Sequence, residues 1–166
     1  MRGESDNGER GQSLVELALV LPLLLAFLLM VIEGGLLFRS HNALVAATWA
    51  GARFALDGGS DPDVVYVVQN SGSGLSIVAG RADIYVVRGR TDSAGTIVSW
   101  SPTKVLGTGP AEPSTTRADL QAGFATWPTA ANVSFVLVEV DYQYTGVTGA
   151  MPISLPIKSY AVVQRL

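Results

Sequence analysis

The chain has 166 residues, 48% of them apolar and only 15% charged, against roughly 25% charged in an ordinary soluble domain; that excludes a disordered polypeptide. With 11 Lys and Arg against 14 Asp and Glu, the net charge of −3 leaves no basic footprint for a nucleic acid. The absence of cysteine removes disulfides and thiolate chemistry, and a single histidine, His41, removes a multi-histidine metal cage.

A polar opening, MRGESDNGERG, ends at Gly11. The apolar residues follow, concentrated in one run. Leu17 to Ile32 carries no charge, and the run continues past Glu33 as Gly34-Gly35-Leu36-Leu37-Phe38 before Arg39 closes it. As a helix, residues 17–38 cover roughly 33 Å, and a bilayer's hydrocarbon core is about 30 Å thick. A soluble domain of this size has too little surface to wrap a helix apolar on every side. A signal peptide has an apolar region of about 7–15 residues and a small-residue cut directly after it, whereas here helical sequence continues from Ser40 to Leu56. The stretch is therefore predicted to span a membrane once.

Ala43, Ala47 and Gly51, and likewise Ala46 and Ala50, recur at four-residue spacing. Such rows either admit a closely packed neighbouring helix or simply supply alanine's helix propensity. Asp57-Gly58-Gly59 provides a glycine stop. The predicted helix thus runs over residues 12–56, roughly 65–70 Å, with a kink at Pro22, whose ring removes one backbone bond.

Residues 57–166 read as a separate α+β domain. Asp61-Pro62 resembles a helix N-cap followed by a first-turn proline, while Val64 to Val68 favour a strand by propensity; a short helix ending near Asn70-Ser71-Gly72 is expected. Ala82–Arg88 and Thr96–Trp100 flank a turn at 91–95 and form a predicted hairpin. Residues 101–131, rich in Pro, Gly, Thr and Ala, read as a long surface excursion with one helical turn at 117–121. In 133–144 the alternation places Val136, Val138, Val140 and Tyr142 on one side and Leu137, Glu139 and Asp141 on the other, the pattern of a half-buried strand. After a turn at 146–149, residues 153–155 and 157–164 complete the pattern. Four main strands in this order favour an antiparallel sheet packed on the outer half of the long helix.

Two carboxylates interrupt the apolar helix. Insertion scales place an acidic residue at a membrane helix centre about 2.5–3.5 kcal/mol uphill. Glu16 precedes the hydrocarbon and, in a headgroup layer, favours the helix N-terminus through its dipole. Glu33, near the other end, either reaches the outer interface or meets an intersubunit partner, for example Arg39.

Taken together, Gly11-Gln12, Glu16, Leu21-Pro22, Glu33-Gly34 and the alanine-rich run into Gly51-Ala52-Arg53 resemble the TadE-like family, minor pseudopilins of the Tad (Flp) pilus system within the type IV pilin superfamily. The resemblance covers residues 9–56. It implies a leader of residues 1–11 and a cut by a prepilin peptidase between Gly11 and Gln12 on the cytoplasmic side. It further implies that Glu16 pairs with the new α-amino group of an adjacent subunit and fixes axial register, because misalignment leaves a buried charge unmatched. The implied location is the cytoplasmic membrane, with one span and the carboxy-terminal domain outside the cytoplasm, and incorporation into a pilus. The implied partners are other pilins or pseudopilins, the prepilin peptidase and the membrane, without nucleic acid or small-molecule substrate.

No phosphate-binding, dinucleotide, zinc-protease or serine-hydrolase signature occurs in the sequence. Asp57, Asp61 and Asp63 lack the spacing and distal glutamate of a calcium loop and read as turn and cap residues. His41 reads as an interfacial polar residue, Asn132-Val133-Ser134 as an accidental sequon, and Trp49, Trp100 and Trp127 as core or interface residues. The expectation is a structural or assembly component with no cofactor and no enzymatic activity. The competing reading is an uncleaved bitopic protein whose exported domain binds a ligand or surface.

Overall fold

The computed structural model describes residues 5–125, 131–148 and 154–165. A single helix, α1, covers Ser5–Leu56, beginning ahead of Gln12 and passing through Gly11 and Pro22 without interruption. Its end is set where the glycines predict. Gly59 N–H reaches the Phe54 carbonyl at 3.1 Å and Gly58 N–H the Ala55 carbonyl at 3.3 Å. This paired closure requires a left-handed residue, supplied by Gly58 at φ +94°.

Helix α2, Asp61–Ser71, follows immediately. Its N-cap is Ser60, one residue before the Asp61 expected in that role, and the Ser60 hydroxyl donates to Asp63 at 2.5 Å. Val64 and Val68, β-branched but four residues apart, are fully buried against α1, so tertiary burial outweighs their strand propensity.

Four strands, β1 (Ala82–Thr91), β2 (Ile97–Leu106), β3 (Ser134–Thr145) and β4 (Ser154–Arg165), form one antiparallel sheet in the order β2-β1-β3-β4. A short helix, α3 (Arg117–Phe124), lies between β2 and β3. The architecture is α+β, as expected.

Two boundaries are corrected. The region read as a surface excursion from residue 101 begins as strand, since β2 continues through Pro102 to Leu106. The segments expected at 153–155 and 157–164 are one strand from Ser154 that includes Pro156. Both strands are sheet edges, where a residue without an N–H costs no interior ladder bond. The turn expected at 146–149 is described only to residue 148; Trp127 and Ile153 lie outside the described residues.

A third correction concerns β3. It is buried on both faces, not one. Toward α1 and α2 it sends Val136, Val138, Val140, Tyr142 and Tyr144, which pack with Leu44, Ala47, Ala52, Val64 and Val68. On the other face Phe135 and Leu137 join Val87, Ile97, Leu120 and Phe124, with the Phe124 and Phe135 rings edge-on at 5.0 Å. The sheet is therefore sandwiched between α1 with α2 on one side and α3 with the 107–116 strap on the other.

Gly51 lets the first of these layers close. A β-carbon there would stand 2.5 Å from Val68 Cγ2, so the bare backbone of α1 is what α2 packs against. The small-residue row is used within the chain: Ala47 and Gly51 are buried, whereas Ala46 is exposed.

Candidate functional site on the amino-terminal helix

From Leu14 to Ile32 the apolar side chains of α1 point outward on all sides, with Leu19 74% and Leu23 71% exposed. Among the described residues, none of the most apolar stretch is buried. These 19 residues extend about 28 Å as a helix, close to the hydrocarbon thickness of a bilayer. A core helix would be covered by its own domain; this one is long and apolar enough to cross a membrane once, and its exposure fits a membrane anchor.

Glu16 sits two residues inside the amino-terminal end of this rod and is exposed. The Gln12 side-chain amide donates to its carboxylate at 3.2 Å, an i,i+4 pair on one helix face. The bond linking Gly11 to Gln12 lies within the helix. Pro22, six residues beyond Glu16, is part of the exposed stretch.

The other end of the rod is marked by Glu33, where the folded domain begins to cover α1. Its stripe of covered positions then continues through Leu37, Leu44, Ala47 and Thr48 to Ala55, the three- and four-residue spacing of one helix face. Glu33 itself is only 4% exposed. The Tyr144 hydroxyl donates to Oε1 at 2.5 Å, the Val147 N–H to Oε1 at 3.0 Å and the Thr148 N–H to Oε2 at 3.1 Å. Burial, and then the neighbouring carboxylate, push the Tyr144 phenol up to about 12, so it remains a donor. The residue expected either at an open interface or in an intersubunit contact therefore has its partners inside its own chain. Arg39, suggested as an intersubunit partner, is exposed.

The remaining expected positions have local roles. Asp61 forms a 2.6 Å ion pair with Arg88, and Asp63 accepts from Ser60. His41 is exposed, Trp49 is 43% exposed, and Trp100 lies beside Phe135 with ring centroids 6.3 Å apart. Asn132 occupies the left-handed region at φ 56°, turning the chain into β3. Among the described residues no group of three or more His, Asp or Glu side chains is arranged to hold a metal.

Sequence reasoning missed a second buried carboxylate. Glu139 is fully buried and accepts from the Ser114 N–H at 2.6 Å, the Ser114 hydroxyl at 2.7 Å and the Thr115 N–H at 3.0 Å. It pins the 107–116 strap across the sheet, helped by Asp83, which accepts from the Gly109 N–H at 2.7 Å, and by the Tyr85 hydroxyl, which donates to the Pro110 carbonyl at 3.0 Å. The alternation gave no advance signal, because it grouped Glu139 with Asp141 on the side read as polar.

No curated protein and no solved structure matches the chain. The family of TadE-like proteins does match, over residues 11–53, a segment that opens at Gly11, holds Glu16, the whole exposed rod and Glu33, and ends one turn short of the α1 cap.

Proposed function

We propose that the chain is a minor pseudopilin of a Tad-type pilus system, held in the membrane by α1 and released into a filament after removal of residues 1–11. What supports this most is the exposed rod at Leu14–Ile32 with one carboxylate, Glu16, a turn from Gln12, inside the segment that matches TadE-like proteins.

Lipid tails and leucine side chains are equally apolar, so moving such a rod from lipid into a bundle of similar rods gains little hydrophobic energy. Register must then come from polar matching. Cutting the Gly11–Gln12 bond leaves an ammonium at the amino terminus of a helix, the end where the dipole disfavours a cation. A carboxylate one turn along a neighbouring rod offsets that charge, and a slipped alignment leaves both charges unmatched in an apolar bundle. Cleavage also requires local unwinding, because the target bond lies within α1. Gly8 and Gly11 lower its cost, each weakening a helix by about 1 kcal/mol relative to alanine. Catalysis has no part in this role; the action is mechanical, with Glu33 fixing the folded domain to its rod.

Co-expression with a Tad prepilin peptidase, followed by intact-mass measurement of the membrane fraction, tests the proposal. The expected product begins at Gln12. A chain that keeps Met1 while a known pilin substrate in the same cells is cut contradicts it and favours the uncleaved bitopic reading.

A further inference from the structure

The face of the sheet covered by α1 and α2 changes character where α1 stops. Residues directly paired across antiparallel strands share a face. The register therefore places Ser99, Arg90, Ser134 and Arg165 in one row across all four strands, with Ser101 and Arg88 in the adjacent row. Further along the same face the rows are apolar, led by Val86, Val138 and Ala161, and lie beneath the helices. These strands outrun α1, whose last residues, Ala55 and Leu56, border a groove of about 470 Å³ floored by the serines and arginines.

Three of the chain's 11 basic residues line this groove, and among the described residues no Asp or Glu does. Arg88 is held at its side by Asp61 at 2.6 Å and by the Gly59 carbonyl at 3.4 Å. Arg90 and Arg165 are exposed, and neither forms an ion pair among the described residues. Their strands are two spacings apart, placing the two backbones about 10 Å from each other.

We propose that this ledge docks carboxylate side chains of a partner polypeptide. Arginine presents a planar fork that matches a carboxylate, and serine hydroxyls at the same level supply further donors. The anchor's own bilayer is out of reach, since Glu33 and Leu56 lie about 34 Å apart along α1. A nucleic acid would need a continuous basic stripe, whereas this chain carries −3 overall and the groove holds three arginines, one of them paired with Asp61. The inference rests on the sheet register and stands independently of cleavage or filament assembly.

The test uses the full chain in a neutral detergent and fluorescein-labelled hexaglutamate, read by fluorescence anisotropy. Saturable binding is expected, weakened by salt, and reduced about tenfold in Arg90→Gln/Arg165→Gln. Arg39→Gln, which removes a charge far from the ledge, should leave it unchanged. Circular dichroism checks that the double variant, altered only at exposed positions, keeps its fold. Three results would each overturn the proposal: no saturable binding, wild-type affinity in the double variant, or tighter binding of hexathymidylate than of hexaglutamate at the same salt.

Discussion

Tyr144 and Glu33 stand 111 residues apart in sequence and 2.5 Å apart in space. The bond joins the end of β3 to the point where α1 leaves the folded domain, and the Val147 and Thr148 amides complete it. It closes the domain on α1 at the first buried position after the exposed rod.

Replacing Glu33 with Ala should loosen that junction without unfolding the sheet, because the core packs farther along α1. Amide hydrogen exchange is expected to speed up at Val147 and Thr148 and stay slow at Val138 and Val140, which lie inside the β ladder. Tyr144→Phe should show a smaller change in the same amides, since it removes one donor of three. Unchanged exchange at 147–148 in Glu33→Ala would show that the carboxylate does not hold this turn.

Much of this was legible in the sequence, and the reason differs from element to element. The rod could be read because sixteen consecutive uncharged residues leave few physical options. The α1 stop could be read because only glycine takes the Gly58 backbone angle without strain. Glu33 and Glu139 could not be assigned, because their partners come from the end of β3, the turn after it and the 107–116 strap, whose positions depend on the whole sheet. Alternation in β3 correctly separated its two faces but implied that one was wet. Nothing local announces that α3 and the strap will cover the second face. Arg90 and Arg165 likewise become neighbours only through two successive registers.

Glu139→Ala is expected to detach the strap. The buried Thr115 amide and the partly buried Ser114 amide would lose their acceptor, and a buried unsatisfied group costs about 1–3 kcal/mol. Thermal unfolding should occur at a lower temperature, and limited proteolysis should cut within 107–116 before anywhere else in the folded domain.

Enlarging Gly51 tests the contact between α1 and α2. Gly51→Leu drives atoms into Val68 and onward toward Val64 and Val138. Overpacking of this kind typically costs about 1–3 kcal/mol, more than the roughly 1 kcal/mol of helix propensity gained over glycine. A lower melting temperature is expected; a higher one would mean that α2 is free to move away.

Asp141 gives the domain a pH dependence. Burial first, then Glu139 and Asp83, raise its carboxyl from 3.8 to about 6, with Lys158 opposing. Between those values the native state binds more protons than the unfolded chain, so stability falls as pH rises through about 4 to 6. Asp141→Asn should flatten this slope and leave the protein more stable than wild type at pH 7, as measured by thermal melts of the detergent-solubilised chain. An identical slope in the variant would remove Asp141 as the cause.

The central claim is that the Leu14–Ile32 rod remains embedded in the membrane while the domain beyond Glu33 stands outside it. The absence of native cysteine makes this directly measurable. Single cysteines at Leu19, Phe27, His41 and Ala46 can be labelled in intact cells with a membrane-impermeant maleimide. Labelling at 41 and 46, with 19 and 27 reacting only after detergent is added, is the predicted result. Ready labelling at 19 or 27 without detergent, or recovery of a water-soluble chain that begins downstream of Phe38, would contradict the account.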